Sequence, residues 1–95
     1  MAIRVLIERQ VEAGQEPKLQ HLLMDLRTKA MHAKGYISGE TLRSLNDPNR
    51  FLVISNWSSI EEWKAWEADS ERKKVQDELD RLLRSPETCT VYGHL

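Results

Sequence analysis

The order of segments along the chain predicts an α+β domain with the arrangement βαββαβ. Residues 2–11 largely alternate apolar and polar side chains, and residues 50–57 contain the continuous apolar run 51–54, as in strands with one or two buried faces. Residues 19–33 and 60–83 carry apolar side chains at spacings of three and four, which is the period of a helix with one buried stripe.

The first strand is predicted over residues 2–11, where four aliphatic residues share one face: Ile3, Val5, Ile7 and Val11. Only Leu6 and Arg9 break the alternation. Gly14 then supplies a turn, and Pro17 suits the first turn of a helix, where its missing N–H costs nothing. The stripe of this helix consists of Leu19, Leu22, Leu23, Leu26, Ala30 and Ala33. Lys34-Gly35 is a typical helix end.

The second and third strands are predicted to form an antiparallel hairpin. Residues 36–45 and 50–57 are strand-like, and the polar residues 46–49 between them are typical of a turn. Ser58 or Ser59 can then cap a helix whose inner side carries three apolar residues: Ile60, Trp63 and Trp66. We expect this helix to break and restart near Asp69, to end at Ser85-Pro86, and to be followed by a last strand over residues 88–95.

This order is that of a ferredoxin-like fold, a four-stranded antiparallel sheet with helices on one face. Such a sheet leaves its other face bare. In the third strand, Phe51 and Val53 alternate with Leu52 and Ile54, so the strand is apolar on both faces. A face-to-face homodimer would cover the bare side, and we expect one, with an interface on whichever pair of residues faces away from the helices.

Composition excludes several classes of function. At 95 residues, the chain is expected to form a single domain over residues 1–95. The 14 basic and 15 acidic residues nearly cancel, which gives no support to nucleic-acid binding. No apolar run approaches the roughly 20 residues that cross a bilayer, and no signal peptide is evident, so we expect a cytoplasmic protein. Cys89 is expected to be a small buried side chain.

The segment from Asp47 to Trp66 resembles the antibiotic biosynthesis monooxygenase family of the dimeric α+β barrel superfamily. In that family a hairpin strand ends in Trp, and a short helix with two further aromatic residues follows, as Trp57, Trp63 and Trp66 do here. The resemblance implies a dimeric barrel with a ligand pocket between sheet and helices in each subunit. It also implies oxidation of phenolic or quinol-like polyketides by molecular oxygen without flavin or metal, or, in another branch, degradation of haem.

The haem-degrading branch is similar to this chain at only one of three positions. It has an Asn in the first strand, a Trp in the split helix and a His about ten residues later. Trp66 matches, but Ile7 and Gln76 occupy the other two positions. Since Ile cannot hydrogen-bond a haem-bound oxygen and an amide is a poor axial ligand, we expect no haem.

Oxygenation of a quinol without a cofactor needs a site that stabilises the substrate anion and excludes water. The catalytic candidates are Trp66, at a position that the family uses for ligand, and Asn56, an amide among apolar strand residues. The ligand-binding candidates are Trp63, His32 and Tyr36. Four of the five have a structural alternative, which is core packing for the two tryptophans, a backbone partner for Asn56 and solvent for His32. No cofactor-binding or metal site is expected.

Two functions from different classes remain open at this stage. One is a small cofactor-independent monooxygenase acting with oxygen on a phenolic or quinol-type aromatic substrate. The other is a non-catalytic dimeric module of the same fold that binds a small ligand or has a structural role. A pocket between sheet and helices separates them, because a purely structural dimer has no reason to keep a cavity that costs stability.

Overall fold

The computed structural model describes residues 1–95 and has the predicted order of elements. Its seven elements are β1 (Ile3–Gln10), α1 (Glu16–Met31), β2 (Tyr36–Arg43), β3 (Arg50–Trp57), α2 (Ile60–Glu67), α3 (Ser70–Asp80) and β4 (Thr88–Gly93). The helix break near Asp69 is confirmed, since Asp69 caps α3 by accepting a 3.0 Å hydrogen bond from the backbone N–H of Arg72. Ser59 caps α2 in the same way, with the N–H of Glu62 as donor.

The four strands form one antiparallel sheet in the order β2-β3-β1-β4. Ile7 in β1 lies opposite Val53 in β3 and Cys89 in β4, and this register fixes which side chains share a face. The buried residues of the helices pack only against the face that carries Ile7, so the fold is ferredoxin-like with helices on one face, as predicted.

The core between helices and sheet has two parts. The first is centred on Trp57 and consists of Ile3, Val5, Ile7, Ala30, Trp57, Trp63 and Trp66. The second is Val11, Leu19, Leu22, Phe51, Val75, Leu79 and Leu82. The predicted stripes of α1 and α3 therefore both face the sheet. No helix has the length and apolar character needed to span a bilayer.

The bare face of the sheet is decided by the register of β3. Phe51 and Trp57 are buried beneath the helices, whereas Leu52, Ile54 and Asn56 lie on the opposite face. Leu42 and Tyr92 flank them on β2 and β4 and are about half exposed, at 45% and 52%. This apolar surface is the one that a second sheet would cover.

The prediction that Cys89 is buried was wrong for the chain as the structure describes it. Cys89 points to the same side as Ile7, but β4 is the outermost strand, and none of its residues is buried. Desolvation raises the pKa of the thiol, and the carboxylates of Glu67 and Glu87 act in the same direction. Cys89 is exposed because β4 is an edge strand that the helices do not cover. The sequence could not predict this, since it gives no measure of how far α2 and α3 extend across the sheet.

Candidate active site

A cavity of about 80 Å³ lies between the sheet and the helices. Its wall includes residues from three strands and all three helices. A cavity needs roughly 10–15 Å³ to hold one water molecule, so this cavity has room for several. The tryptophans therefore do not fill the space between sheet and helices completely. The exposed residues Arg27 and Glu40 form part of the wall, so the cavity reaches the surface of the chain.

One side of the cavity is aromatic. Trp57 and Trp66 are stacked with ring centroids 6.1 Å apart, and Trp63 meets Trp57 edge-on at 5.6 Å. Tyr36 packs edge-on against Trp57 at 5.3 Å. The arrangement follows from local sequence, because Trp57 ends β3 on the helix-facing side and the spacing of Trp63 and Trp66 places both on the inner face of α2. These rings are held by packing, and they form an apolar aromatic wall suited to an aromatic ligand.

A polar network joins β1, α3 and the residue before β4 at the same cavity. Arg9 is only 3% exposed, and its Nε donates a 2.8 Å hydrogen bond to Oε1 of Glu87. The same oxygen accepts a 2.8 Å bond from Nε2 of Gln76, which also donates to Asp80. Nη2 of Arg72 lies 3.4 Å from Oε1 of Gln76. Arg9, Arg72 and Gln76 line the cavity, so its aromatic wall is accompanied by two guanidinium groups.

Arg72 connects the aromatic and the polar parts of the site. Its guanidinium lies 5.8 Å from the centroid of the Trp63 ring, within the range of a cation–π contact. Desolvation lowers the pKa of Arg72, and the nearby charge of Arg9 adds to this, whereas Glu87 and Glu67 oppose it. An arginine remains charged even so, because its ordinary pKa is far above neutrality. Two positive charges therefore lie close together in a partly desolvated place.

The sequence analysis missed this network, although one signal of it was present. Arg9 was interpreted as a break in the alternation of β1, but it continues the inward series from Ile7 to Val11. A charged side chain on the buried face of a strand is costly without a partner, and such residues mark candidate functional sites. The partner Glu87 lies 78 positions away, so no local pattern could have indicated it.

The structure brings together only some of the predicted site residues. Trp66, Trp63 and Tyr36 all line the cavity, and the two tryptophans also belong to the core. Their structural role is therefore confirmed, and their role toward a ligand stays a prediction. His32 does not line it and is exposed just beyond the end of α1. His32 is exposed because it lies outside the apolar stripe of α1 that faces the sheet.

Asn56 also lies away from the cavity, on the bare face of the sheet. Its Oδ1 accepts a 3.2 Å hydrogen bond from Nε of Arg4, and its Nδ2 donates a 3.0 Å bond to Oγ of Ser38. The whole sheet separates this amide from Trp66. The structure therefore does not place Asn56 where it could polarise a ligand in the same subunit's cavity.

The residues of the cavity do not fit haem. Ile7 and Gln76, at the two positions where the haem-degrading branch has Asn and His, both line it. The Ile7 side chain has no hydrogen-bonding group, and the amide of Gln76 already bonds Glu87 and Asp80. None of the three histidines lines the cavity, and no group of three or more His, Cys, Asp or Glu side chains is placed to hold a metal ion.

Comparison with known proteins assigns the chain to a family. The sequence model of the antibiotic biosynthesis monooxygenase family matches residues 2–78, which include the aromatic wall and the arginines. The chain belongs to this family. Among curated proteins, SchA of Streptomyces halstedii is 23% identical over 82 residues, which are 86% of the chain and 22% of SchA. The chain thus spans about a fifth of the length of that relative.

Solved structures of similar fold cover almost the whole chain. A conserved protein from Methanosarcina mazei Go1 matches with a TM-score of 0.92 at 18% identity, covering 97% of this chain and 91% of that one. SnoaB of Streptomyces nogalater, described as a cofactor-independent oxygenase, matches with a TM-score of 0.90 at 12% identity, covering 99% and 93%. At these identities the likeness establishes the fold, while membership of the family supports a function of the monooxygenase type.

Proposed function

We propose that this protein is a cofactor-independent monooxygenase that oxidises a phenolic or quinol-type aromatic substrate with molecular oxygen. The observation that carries the proposal is one cavity in which the tryptophan wall faces two partly desolvated arginines. The family match and the description of SnoaB as a cofactor-independent oxygenase support the same chemistry.

The arrangement suits the two requirements of such a reaction. The substrate must lose a proton and give an electron to oxygen, and positive charge near its ring oxygen favours the anion that does so. Arg9 and Arg72 supply that charge, while Trp63 and Trp66 hold the ring and exclude water from the radical pair that forms. For an anthrone, whose oxidised carbon carries two hydrogens, one oxygen atom becomes the product carbonyl and the other leaves as water with those two hydrogens. For a quinol, one oxygen atom becomes a ring hydroxyl, and the other leaves as water with the two hydrogens that the quinol loses on becoming a quinone.

The cavity limits how a substrate can enter. At about 80 Å³ it is smaller than a cavity of about 150 Å³ that accepts benzene. A fused two-ring substrate must therefore extend out past Arg27 and Glu40 or displace Trp66 or Trp63. The small volume is also the observation that favours the alternative function, a dimeric module that binds a smaller ligand and does not turn it over.

We also propose that the protein works as a homodimer through the bare face of the sheet, which would complete an α+β barrel. Leu42 and Tyr92 are each about half exposed, next to the partly exposed Leu52 and Ile54. Covering such a contiguous apolar surface is favourable by about 25 cal/mol for each Å² removed from water. Asn56 and Arg4 would lie within this interface.

Oxygen uptake by metal-free protein, measured against hydroquinones, naphthoquinols and anthrones, tests the enzymatic proposal. We expect uptake above autoxidation that falls at least tenfold in Trp66→Phe, a variant that keeps an aromatic side chain in the core. Lys73→Gln, on the exposed side of α3, is the control and should retain the rate. Uptake that is absent across the panel from a folded protein would favour the binding module, and uptake equal in Trp66→Phe would place the reaction elsewhere.

A further inference from the structure

Arg9 has hydrogen-bonding capacity that the protein does not use. The side chain is 97% buried, and its one hydrogen bond runs from Nε to Glu87. A guanidinium has five N–H donors, so both terminal amino groups are left without a protein partner, and Arg9 lines the cavity. No buried side-chain nitrogen of the chain lacks a hydrogen-bond partner, so these two amino groups are accessible to solvent at the cavity. The cavity is therefore the place where an acceptor for these groups would bind.

The two arginines at this end of the cavity differ in their partners. Arg9 is buried and Arg72 partly buried, whereas the other charged residues of the wall, Arg27 and Glu40, are exposed. Arg9 bonds the carboxylate of Glu87 directly, but the hydrogen bonds of Arg72 go to the backbone carbonyl of Glu67 and the amide of Gln76. Arg72 therefore has no carboxylate bonded to its guanidinium. A ligand carboxylate carries a full charge at pH 7 and could pair with it directly, which a neutral quinol could do only after it ionises.

We infer that Arg9 and Arg72 form an anion subsite that selects a hydroxylated aromatic carboxylic acid as substrate. The aromatic ring packs against Trp63 and Trp66. The carboxylate accepts hydrogen bonds from the amino groups of Arg9 and from the N–H groups of Arg72 that its 3.4 Å bonds to Glu67 and Gln76 leave unused. A planar guanidinium presents paired donors that match the two oxygens of a carboxylate. That the bound acid is oxidised rests on the proposed function, whereas the preference for an anion concerns binding alone.

Calorimetric titration with matched, redox-inert probes tests the subsite. The probes are benzoate against benzamide and 2-naphthoate against 2-naphthamide, pairs that differ in charge and hardly in shape. We expect each acid to bind about 10- to 100-fold more tightly than its amide, as charge-assisted hydrogen bonds of about 1.5–3 kcal/mol give. In Arg72→Gln the ratio should fall to within about threefold. Arg81→Gln removes the same charge from the exposed end of α3 and should keep the full ratio.

The outcomes separate this inference from the proposed function. Equal binding of acid and amide, no binding of either acid, or a ratio that persists in Arg72→Gln would each overturn the anion subsite. Because the probes are not oxidised, a ratio that behaves as expected supports the subsite even if no quinol is turned over. Oxygen uptake with a neutral naphthoquinol but without a preference for acids would instead leave the monooxygenase standing and remove only the subsite.

Discussion

The pairing of Arg9 with Glu87 should be visible as strong energetic coupling between two residues that are distant in sequence. In Arg9→Met, Glu87 loses its cationic partner but keeps the hydrogen bond from Gln76 and an exposed fraction of 18%. Breaking a fully buried pair usually costs about 3–5 kcal/mol. Because Glu87 keeps these contacts, we expect the free energy of unfolding to fall by about 2–3 kcal/mol. In Glu87→Leu, the 97% buried Arg9 has no carboxylate, and we expect about 3–5 kcal/mol.

The double variant distinguishes a pair from two independent contributions. When both charges are replaced by apolar side chains, neither is left buried without a partner, and such replacements are often close to neutral. We expect Arg9→Met/Glu87→Leu to lose less than about 2 kcal/mol, which corresponds to a coupling energy of at least about 3 kcal/mol between the two sites.

Urea unfolding followed by circular dichroism, at one fixed protein concentration because dimerisation would alter apparent stability, measures the cycle. The matched control is the exposed pair of Lys74 and Glu71, 3.3 Å apart with side chains 74% and 61% exposed. Its coupling should stay below about 0.5 kcal/mol because solvent screens exposed pairs. Additivity of the Arg9 and Glu87 variants to within about 0.5 kcal/mol would refute the account of the network.

Three further predictions concern the fold and its assembly. Gly35→Ala should lower stability by about 1–2 kcal/mol in thermal unfolding, because φ is +89° there and a Cβ would collide with the side chain of Glu62; the unobstructed Gly93→Ala is the control, and an equal effect of both would contradict this. Hydrogen bonds from Ser58 and Ser59 lower the pKa of Glu62, so its contribution is present above the pKa of the unfolded chain and is lost as pH falls through the folded value. Stability measured from pH 7 to pH 3 should therefore decline less steeply in Glu62→Gln, and parallel curves would argue against it. Ile54→Asp, on the bare face, should elute as a monomer in size-exclusion chromatography, and an unchanged dimer would exclude the proposed interface.

The elements of the fold could be predicted because their signals are local. The helix stripes of α1 and α3, the hairpin turn and the break at Asp69 each depend on residues within a few positions of one another. The face of β3 that meets the helices could not be predicted in this way, because the strand is apolar on both sides. The pairing of Val53 with Ile7 decides it, and that pairing is a long-range fact.

In the candidate site, too, the residues with local signals could be predicted and those that depend on long-range pairing could not. Trp63 and Trp66 were found from the sequence because helical spacing and the family pattern both point inward. Asn56 could be assigned to the face of Leu52 and Ile54 from the alternation of β3, but not to the side away from the helices, because only the pairing of β3 with β1 decides that. Arg9 was overlooked because a single charge in an apolar series resembles an irregularity until Glu87 is brought beside it by the fold.

The position of Arg9 also explains why stability and binding should conflict in this domain. An apolar residue between Ile7 and Val11 would continue the core at no cost, whereas the guanidinium depends on Glu87 and on an open cavity for its two amino groups. Packing alone therefore does not favour an arginine here. If the cavity binds an anion, the ligand replaces solvent as the acceptor, and part of the cost of the charge is offset only in the complex. The same double variant that restores an apolar core, Arg9→Met/Glu87→Leu, should then fold nearly as well as the natural chain and lose its preference for the carboxylate probe.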